Sequence, residues 1–251
     1  MIQFFRKFRK DFLSEGKMWK YLQYAIGEII LVVTGILIAL YINNRNQNLQ
    51  LQKEELKTLK SLQKAIKINR SELNETLNDQ ILRNKSLTEV LVLKVSEKKL
   101  IYLDSLVTAN VKNHTFHPST GIYNSMINSG KIELISNDSL KNRISKLYDS
   151  VKDYQQSEGE VSEYTKQHLE NNFIENYSIN PLVLAKLIKR TAKEKKKDRI
   201  YYTRNLSSQK VKNMYILLLY KMNDVIKKGQ SLNLEYQSIL TALDNEIELK
   251  K

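Results

Sequence analysis

Between residues 22 and 42 the chain offers water almost nothing. Leu22, Gln23 and Tyr24 lead into an unbroken apolar run to Ile42 in which only Glu28 and Thr34 are polar. An α-helix over residues 24–42 rises roughly 28 Å, about the hydrocarbon thickness of a bilayer. Trp19, Tyr21 and Tyr24 stand at one end and Tyr41 at the other, as expected of rings held at headgroup level. Apolar side chains surround the whole circumference and no later segment is suited to cover them. The pattern therefore predicts a transmembrane helix over residues 21–43 and not the buried helix of a soluble core. The run is too long for the apolar part of a cleaved signal, and Tyr41-Ile42-Asn43-Asn44 stands where a small-x-small cleavage motif would be needed. An uncleaved signal anchor follows.

Beyond the span the apolar positions fall into helical spacing. Leu56, Leu59, Leu62, Ile66, Leu73 and Leu77 form one stripe, interrupted as a strict heptad by Gln52, Gln63 and Asn69, which predicts a bundle helix more than a lone coiled coil. No glycine or proline lies between Ile36 and His117, so a long juxtamembrane helix is expected over residues 44–110. The remainder of the bundle, residues 111–251, is punctuated by its few breakers. Residues 114–121 (His-Thr-Phe-His-Pro-Ser-Thr-Gly) form a loop, and a short helix over 122–129 ends at Gly130, which suits a C-terminal cap. Ser136-Asn137-Asp138 supplies N-cap chemistry for a helix through Leu140, Ile144, Leu147 and Val151 that runs on to about residue 177, weakened at Gly159. Asn180-Pro181 opens the next element. A final helix over 202–249 carries Leu206, Met214, Leu217, Leu218, Val225, Leu232, Tyr236, Leu240, Leu243 and Ile247, with an interruption expected at Gly229. Its run over 214–220 is too short to span a membrane and is assigned to the bundle core. The predicted fold class is all-α: one N-terminal transmembrane helix continuing into a long helix and an extramembrane helical bundle.

Charge orients this arrangement. The tail over residues 1–20 holds Arg6, Lys7, Arg9, Lys10, Lys17 and Lys20 against Asp11 and Glu15, whereas Arg45 alone follows the span before Lys53. The positive-inside rule places the N-terminus in the cytoplasm and the C-terminal domain in the periplasm, anchored in the inner membrane. Within the tail, Ile2, Phe5, Phe8 and Phe12 recur at helical spacing among the cations. That pattern predicts an amphipathic helix lying on the cytoplasmic leaflet, broken at Gly16. The whole chain carries a formal net charge of +14. No arginine cluster interleaved with aromatics accompanies it, so the excess is read as a lysine-rich solvated surface and not as a nucleic-acid site. The densest run lies over residues 186–199 and suits either anionic headgroups or a hydrated helix end. Cysteine is absent and says nothing about redox compartment.

Candidate chemistry is sparse. His114 and His117 form an H-x-x-H pair in a loop, but His168 is the only other histidine, so the pair is assigned to turn chemistry and no metal site or cofactor is predicted. Glu28 lies about one turn inside the membrane, where an ionisable group is costly and a functional candidate by default; a water-reaching or partner-bonded carboxylate is the plainer reading. Gly27, Leu31, Gly35 and Ala39 share one face of the span, and Gly35-x-x-x-Ala39 would let two backbones approach in a homodimer. No nucleophile elbow, zincin motif or glycine-rich phosphate loop occurs, and the chain is read as no enzyme.

Two blocks carry a resemblance. Phe4-Phe5-Arg6-Lys7 with the run from Tyr24-Ala25-Ile26-Gly27-Glu28 to Leu40-Tyr41-Ile42-Asn43-Asn44 forms the first. Gly121-Ile122-Tyr123-Asn124-Ser125-Met126-Ile127-Asn128-Ser129-Gly130-Lys131-Ile132-Glu133-Leu134-Ile135, followed by Asn137, forms the second. Together they resemble a flavobacterial family of single-span membrane proteins defined only as a domain of unknown function (6090 type). Arg45-Asn46-Gln47 departs from that family's Trp-Asn-Glu and removes an aromatic anchor at the outer interface. The resemblance implies an envelope protein of a Gram-negative bacterium and supplies no activity. Physically, the second block reads as a bundle corner with Ile122, Met126, Ile127, Ile132 and Leu134 tucked inward; alternatively Tyr123, Asn124, Asn128 and Ser129 present hydrogen bonds to a partner. The expected function is a membrane-anchored helical interaction, sensing or scaffolding module that meets the lipid bilayer and an envelope protein partner. Two alternatives stay open: an accessory subunit of an ion-coupled or secretion complex acting through Glu28, and a cytoplasm-facing basic domain binding anionic lipid or nucleic acid.

Overall fold

The computed structural model describes residues 18–176 and 189–250, and every regular element among them is helical. The helix α1 covers Met18–Val92, followed by a 3₁₀ turn at Val95–Glu97 and α2 at Leu100–Val111. After an extended loop come α3 (Gly121–Asn128), a 3₁₀ turn (Lys131–Leu134) and α4 (Asp138–Tyr164), which passes through a π-helical segment (Thr165–Glu170) into α5 (Asn171–Asn176). The chain ends with α6 (Ala192–Ser207) and α7 (Gln209–Leu249). It divides into two compact units, residues 1–56 and 57–251. The predicted amphipathic tail, with Phe5, Phe8 and Phe12, and the Asn180-Pro181 start lie outside the described residues.

In the first unit, the most apolar window of α1 has a mean hydropathy of 2.5 and none of it is buried. Side chains that water rejects are thus exposed on every side, by length and composition a helix able to cross a membrane.

The second unit is built on three long helices. Side-chain pairs Gln63–Asp244, Arg70–Asn233 and Asn84–Asn223 run α1 antiparallel to α7. Arg143–Ser238, Lys228–Asp153 and Lys221–Glu160 do the same for α4 and α7. The stripe predicted on α1 is buried at Leu59, Leu62, Ile66, Leu73 and Leu77 and extends to Leu87 and Val90. Tyr154, Tyr236 and Phe116 close the centre, with Phe116 edge-on to Tyr236 at 6.4 Å between ring centroids.

Several boundaries differ from the sequence expectation. The helix expected to run to residue 110 ends at Val92, where Val90, Val92 and Val95 crowd χ1 against the preceding turn and Arg199 takes the carbonyls of Val95 and Lys98. The final helix breaks at Ser208, which is extended (φ −66°, ψ 132°) after the weak helix former Ser207, and not at Gly229. Over residues 214–220 only Tyr215 and Leu218 are buried; Ile216, Leu217 and Tyr220 face outward, because a 3.6-residue period turns inward only positions three apart. Elsewhere the local chemistry is as read. Asn137 Oδ1 accepts from the Leu140 N–H at 3.0 Å, and Gly130 adopts φ +68° just past α3.

Gly229 has a packing role. A Cβ there would lie 2.5 Å from Leu77 Cδ2 and 2.9 Å from Tyr154 Cε2, so glycine is what lets α7 approach α1 and α4. Alanine normally favours a helix over glycine. At this position Gly229→Ala is expected instead to destabilise by about 1–3 kcal/mol through overpacking. Urea unfolding of the detergent-solubilised chain checks it, and a stabilised variant would refute the contact.

Candidate functional site

The positions singled out on the span stay apart from one another in role. Trp19, Tyr24 and Tyr41 are 71%, 63% and 67% exposed. Gly27 and Gly35 have open space where a Cβ would stand, and Glu28 and Ala39 are exposed.

The second-block corner splits in two. Met126, Ile132 and Ile135 are buried, Ile122 and Leu134 half-buried, and Ile127 is exposed, so the expected inward set is only partly inward. Tyr123 stacks on Tyr148 with centroids 4.9 Å apart and lines a cavity of about 50 Å³ with Leu62, Ile66, Pro118 and Ile144. Asn124, Asn128 and Ser129 lie on the outer side; the Ser129 hydroxyl donates back to Ser125 O at 2.6 Å. Tyr123 anchors the corner, and the other three are presented to solvent.

What the fold does assemble is a buried polar seam. The loop after α2 runs alongside α1, and polar side chains of α1 take its backbone one by one. Asn69 donates to Ser119 O at 3.1 Å and accepts from Ser119 N at 2.9 Å. Glu72 accepts from His117 N and Gln80 donates to His114 O, while Arg83 donates to the carbonyl of Asn110 in the last turn of α2 at 2.7 Å. Positions 69, 72, 80 and 83 recur at helical spacing on one face, so much of a loop backbone that would be left unpaired is satisfied from α1. The asparagine that spoiled the heptad is part of that device.

From α4, Glu158 closes the seam. Both its carboxylate oxygens accept from Phe116 N at 3.1 Å, and Gln80 Nε2 donates to Oε1 at 2.7 Å. The residue is 4% exposed, and burial pushes its carboxyl up to about 7 despite these donors and Tyr154. Arg83, 3% exposed, also donates to Asn113 Oδ1 and Thr165 Oγ1, while its Nε has no partner. Burial without a counter-charge lowers its guanidinium to about 10. His114 Nδ1 faces Asp79 Oδ2 at 3.0 Å, and burial moves its pKa below the ordinary value. His117 Nε2 pairs with Thr115 Oγ1, so the two histidines point to different partners. Among the described residues no group of three His, Asp or Glu is placed to hold a metal.

A second buried assembly lies at α2 and α6. Arg190 grips Asp104 through Nη1–Oδ2 at 2.7 Å and Nη2–Oδ1 at 3.0 Å, and its Nε reaches Asp198 Oδ2 at 2.9 Å. The Tyr202 hydroxyl donates to Asp104 as well. Burial works against the Arg190 charge, yet the hydrogen bond to Asp104 and both carboxylates outweigh it and raise the pKa. Thus two cations of the basic run are structural: Arg190 here, and Arg199 on the carbonyls of Val95 and Lys98. Lys189, Lys193, Lys195, Lys196 and Lys197 stay exposed, and Thr191 with Glu194 forms a capping box at the start of α6. Sequence reading missed Glu158, Gln80, Arg83 and Asp104, and met Arg190 only as one cation of the basic run. A charged residue inside an apolar stripe, as at Arg83, was the one available signal.

Fold and site together define an all-helical protein whose second unit is a polar-laced bundle and whose first helix is long and apolar enough to cross a membrane. The chain belongs to a family of unknown function (DUF6090), whose model matches residues 28–190, more than half of its length. No curated protein and no solved structure matches the chain.

Proposed function

We propose that this protein is a membrane-anchored helical interaction module of the bacterial envelope, sensing or scaffolding and not catalysing. The observation that carries it is the exposed apolar helix, whose most hydrophobic window is wholly unburied. A water-facing surface of that composition is stable only when lipid covers it. The basic tail before it and the single Arg45 after it favour a cytoplasmic N-terminus and a periplasmic bundle. The small-residue face at Gly27, Gly35 and Ala39 is where a second copy would pack.

Topology tests the reading. The chain has no cysteine, and Ser139 is exposed at the start of α4. Ser139→Cys in intact spheroplasts should react with a membrane-impermeant maleimide without lysis. Reaction only after lysis would place the bundle in the cytoplasm and overturn the proposal.

A further inference from the structure

Asp198, Tyr202 and Leu206 are the buried positions of α6. By the 3.6-residue period Lys193, Lys196, Lys197, Ile200 and Arg204 share its opposite face, and all five are exposed. None of these four cations enters an ion pair among the described residues. Of the carboxylates on α6, Glu194 is turned back onto the Thr191 N–H in the capping box, and Asp198 is buried on Arg190. Ile200 stands 58% exposed within this cationic face.

The fold adds cations that the sequence keeps far apart. Arg199 reaches from α6 to the turn after α1, donating to the carbonyls of Val95 at 2.7 Å and Lys98 at 2.5 Å. That turn brings Lys94, Lys98 and Lys99 to one edge of α6. Lys94 pairs with Glu97 at 3.5 Å and Lys98 with Glu89 at 4.0 Å, whereas Lys99 has no carboxylate partner among the described residues. Val92, 77% exposed, ends the helix that leads into the turn.

What faces outward is mostly lysine and aliphatic carbon, and that combination narrows the partner. Nucleic acid is gripped by planar arginine forks and by rings free to stack. Here Arg190 and Arg199 are spent inside the fold, and Lys98 and Lys197 stand over the Tyr102 and Tyr201 rings, 5.0 and 5.5 Å from their centroids. A bilayer surface asks for neither feature. Lysine ammonium groups reach its phosphates, while their methylene stems and an aliphatic side chain rest at the acyl boundary.

We propose that the outer face of α6, with the adjoining turn at residues 94–99, docks the bundle on a bilayer rich in anionic phospholipid. This contact is separate from the apolar helix and does not rest on the direction in which the chain crosses a membrane.

The test uses the full chain in nanodiscs of phosphatidylcholine, mixed with separate vesicles of phosphatidylcholine with or without phosphatidylglycerol. The chain is expected to co-float with the anionic vesicles about 100-fold more tightly than with the neutral ones. Lys193→Gln, Lys196→Gln and Lys197→Gln together should remove most of that preference, at roughly five-fold per lysine. The same change at Lys60, Lys64 and Lys67, exposed on α1, should alter it by no more than about two-fold, which separates this face from net charge. Ile200→Ser should cost about ten-fold, because the aliphatic contact is lost. No preference for anionic vesicles, an equal loss from the α1 set, or unchanged binding of Ile200→Ser would overturn the proposal. So would duplex DNA that displaces the vesicles, which would make this face a nucleic-acid site.

Discussion

Arg190→Met is expected to lower the unfolding free energy at neutral pH by about 3–5 kcal/mol. Met replaces the packed stem but leaves Asp104 and Asp198, each under 5% exposed, without their shared cation. Two buried carboxylates then face one another with the Tyr202 hydroxyl as the donor left to Asp104. The cost lies in stranded charge, so Arg190→Met combined with Asp104→Asn and Asp198→Asn should recover most of it. Urea unfolding of the detergent-solubilised chain measures both. A single variant within 1 kcal/mol of wild type, or a triple variant worse than the single, would show that the cluster contributes through packing and not through charge.

The second large effect is a pH dependence carried by Glu158. Its carboxyl sits at about 7 when folded against an ordinary value of 4.5, raised by burial and only partly offset by the Phe116 N–H, Tyr154 and Gln80. A group that holds its proton more tightly when folded contributes stability that is whole below about pH 4.5 and is lost as pH rises to about 7. The span of that shift corresponds to about 3 kcal/mol. His114 acts with the opposite sign: its folded pKa is lowered, so its contribution is lost as pH falls through the ordinary histidine range and below. The difference between wild type and Glu158→Gln cancels His114 and isolates the carboxyl. That difference should change by about 3 kcal/mol between pH 4.5 and pH 8, with wild type losing ground as pH rises. A difference that stays flat across the range would mean that water reaches Glu158 in the folded chain.

Much of this fold was legible from periodicity. The 3.6-residue stripe on α1 named Leu59, Leu62, Ile66, Leu73 and Leu77, and cap chemistry marked Asn137 and Gly130. Those features depend on neighbours within a turn, where sequence distance and spatial distance agree. The loop at residues 114–121 was also visible, though not what it rests on. Its partners Asn69, Glu72, Gln80 and Glu158 lie 34 to 50 residues away.

Gly229 shows the limit most sharply. By propensity it is a weak point in a helix, and only the closeness of Leu77 and Tyr154 turns it into a packing requirement. Arg190 is parallel: within the sequence it is one cation in a basic run, and in the fold it is paired to two buried carboxylates. The helical class, the apolar helix able to cross a membrane and the caps follow from residue order alone, because hydrophobic period and capping are local properties of the chain. Which polar groups are withdrawn from water and matched follows from the folded bundle, because burial and pairing are set by residues that meet across it.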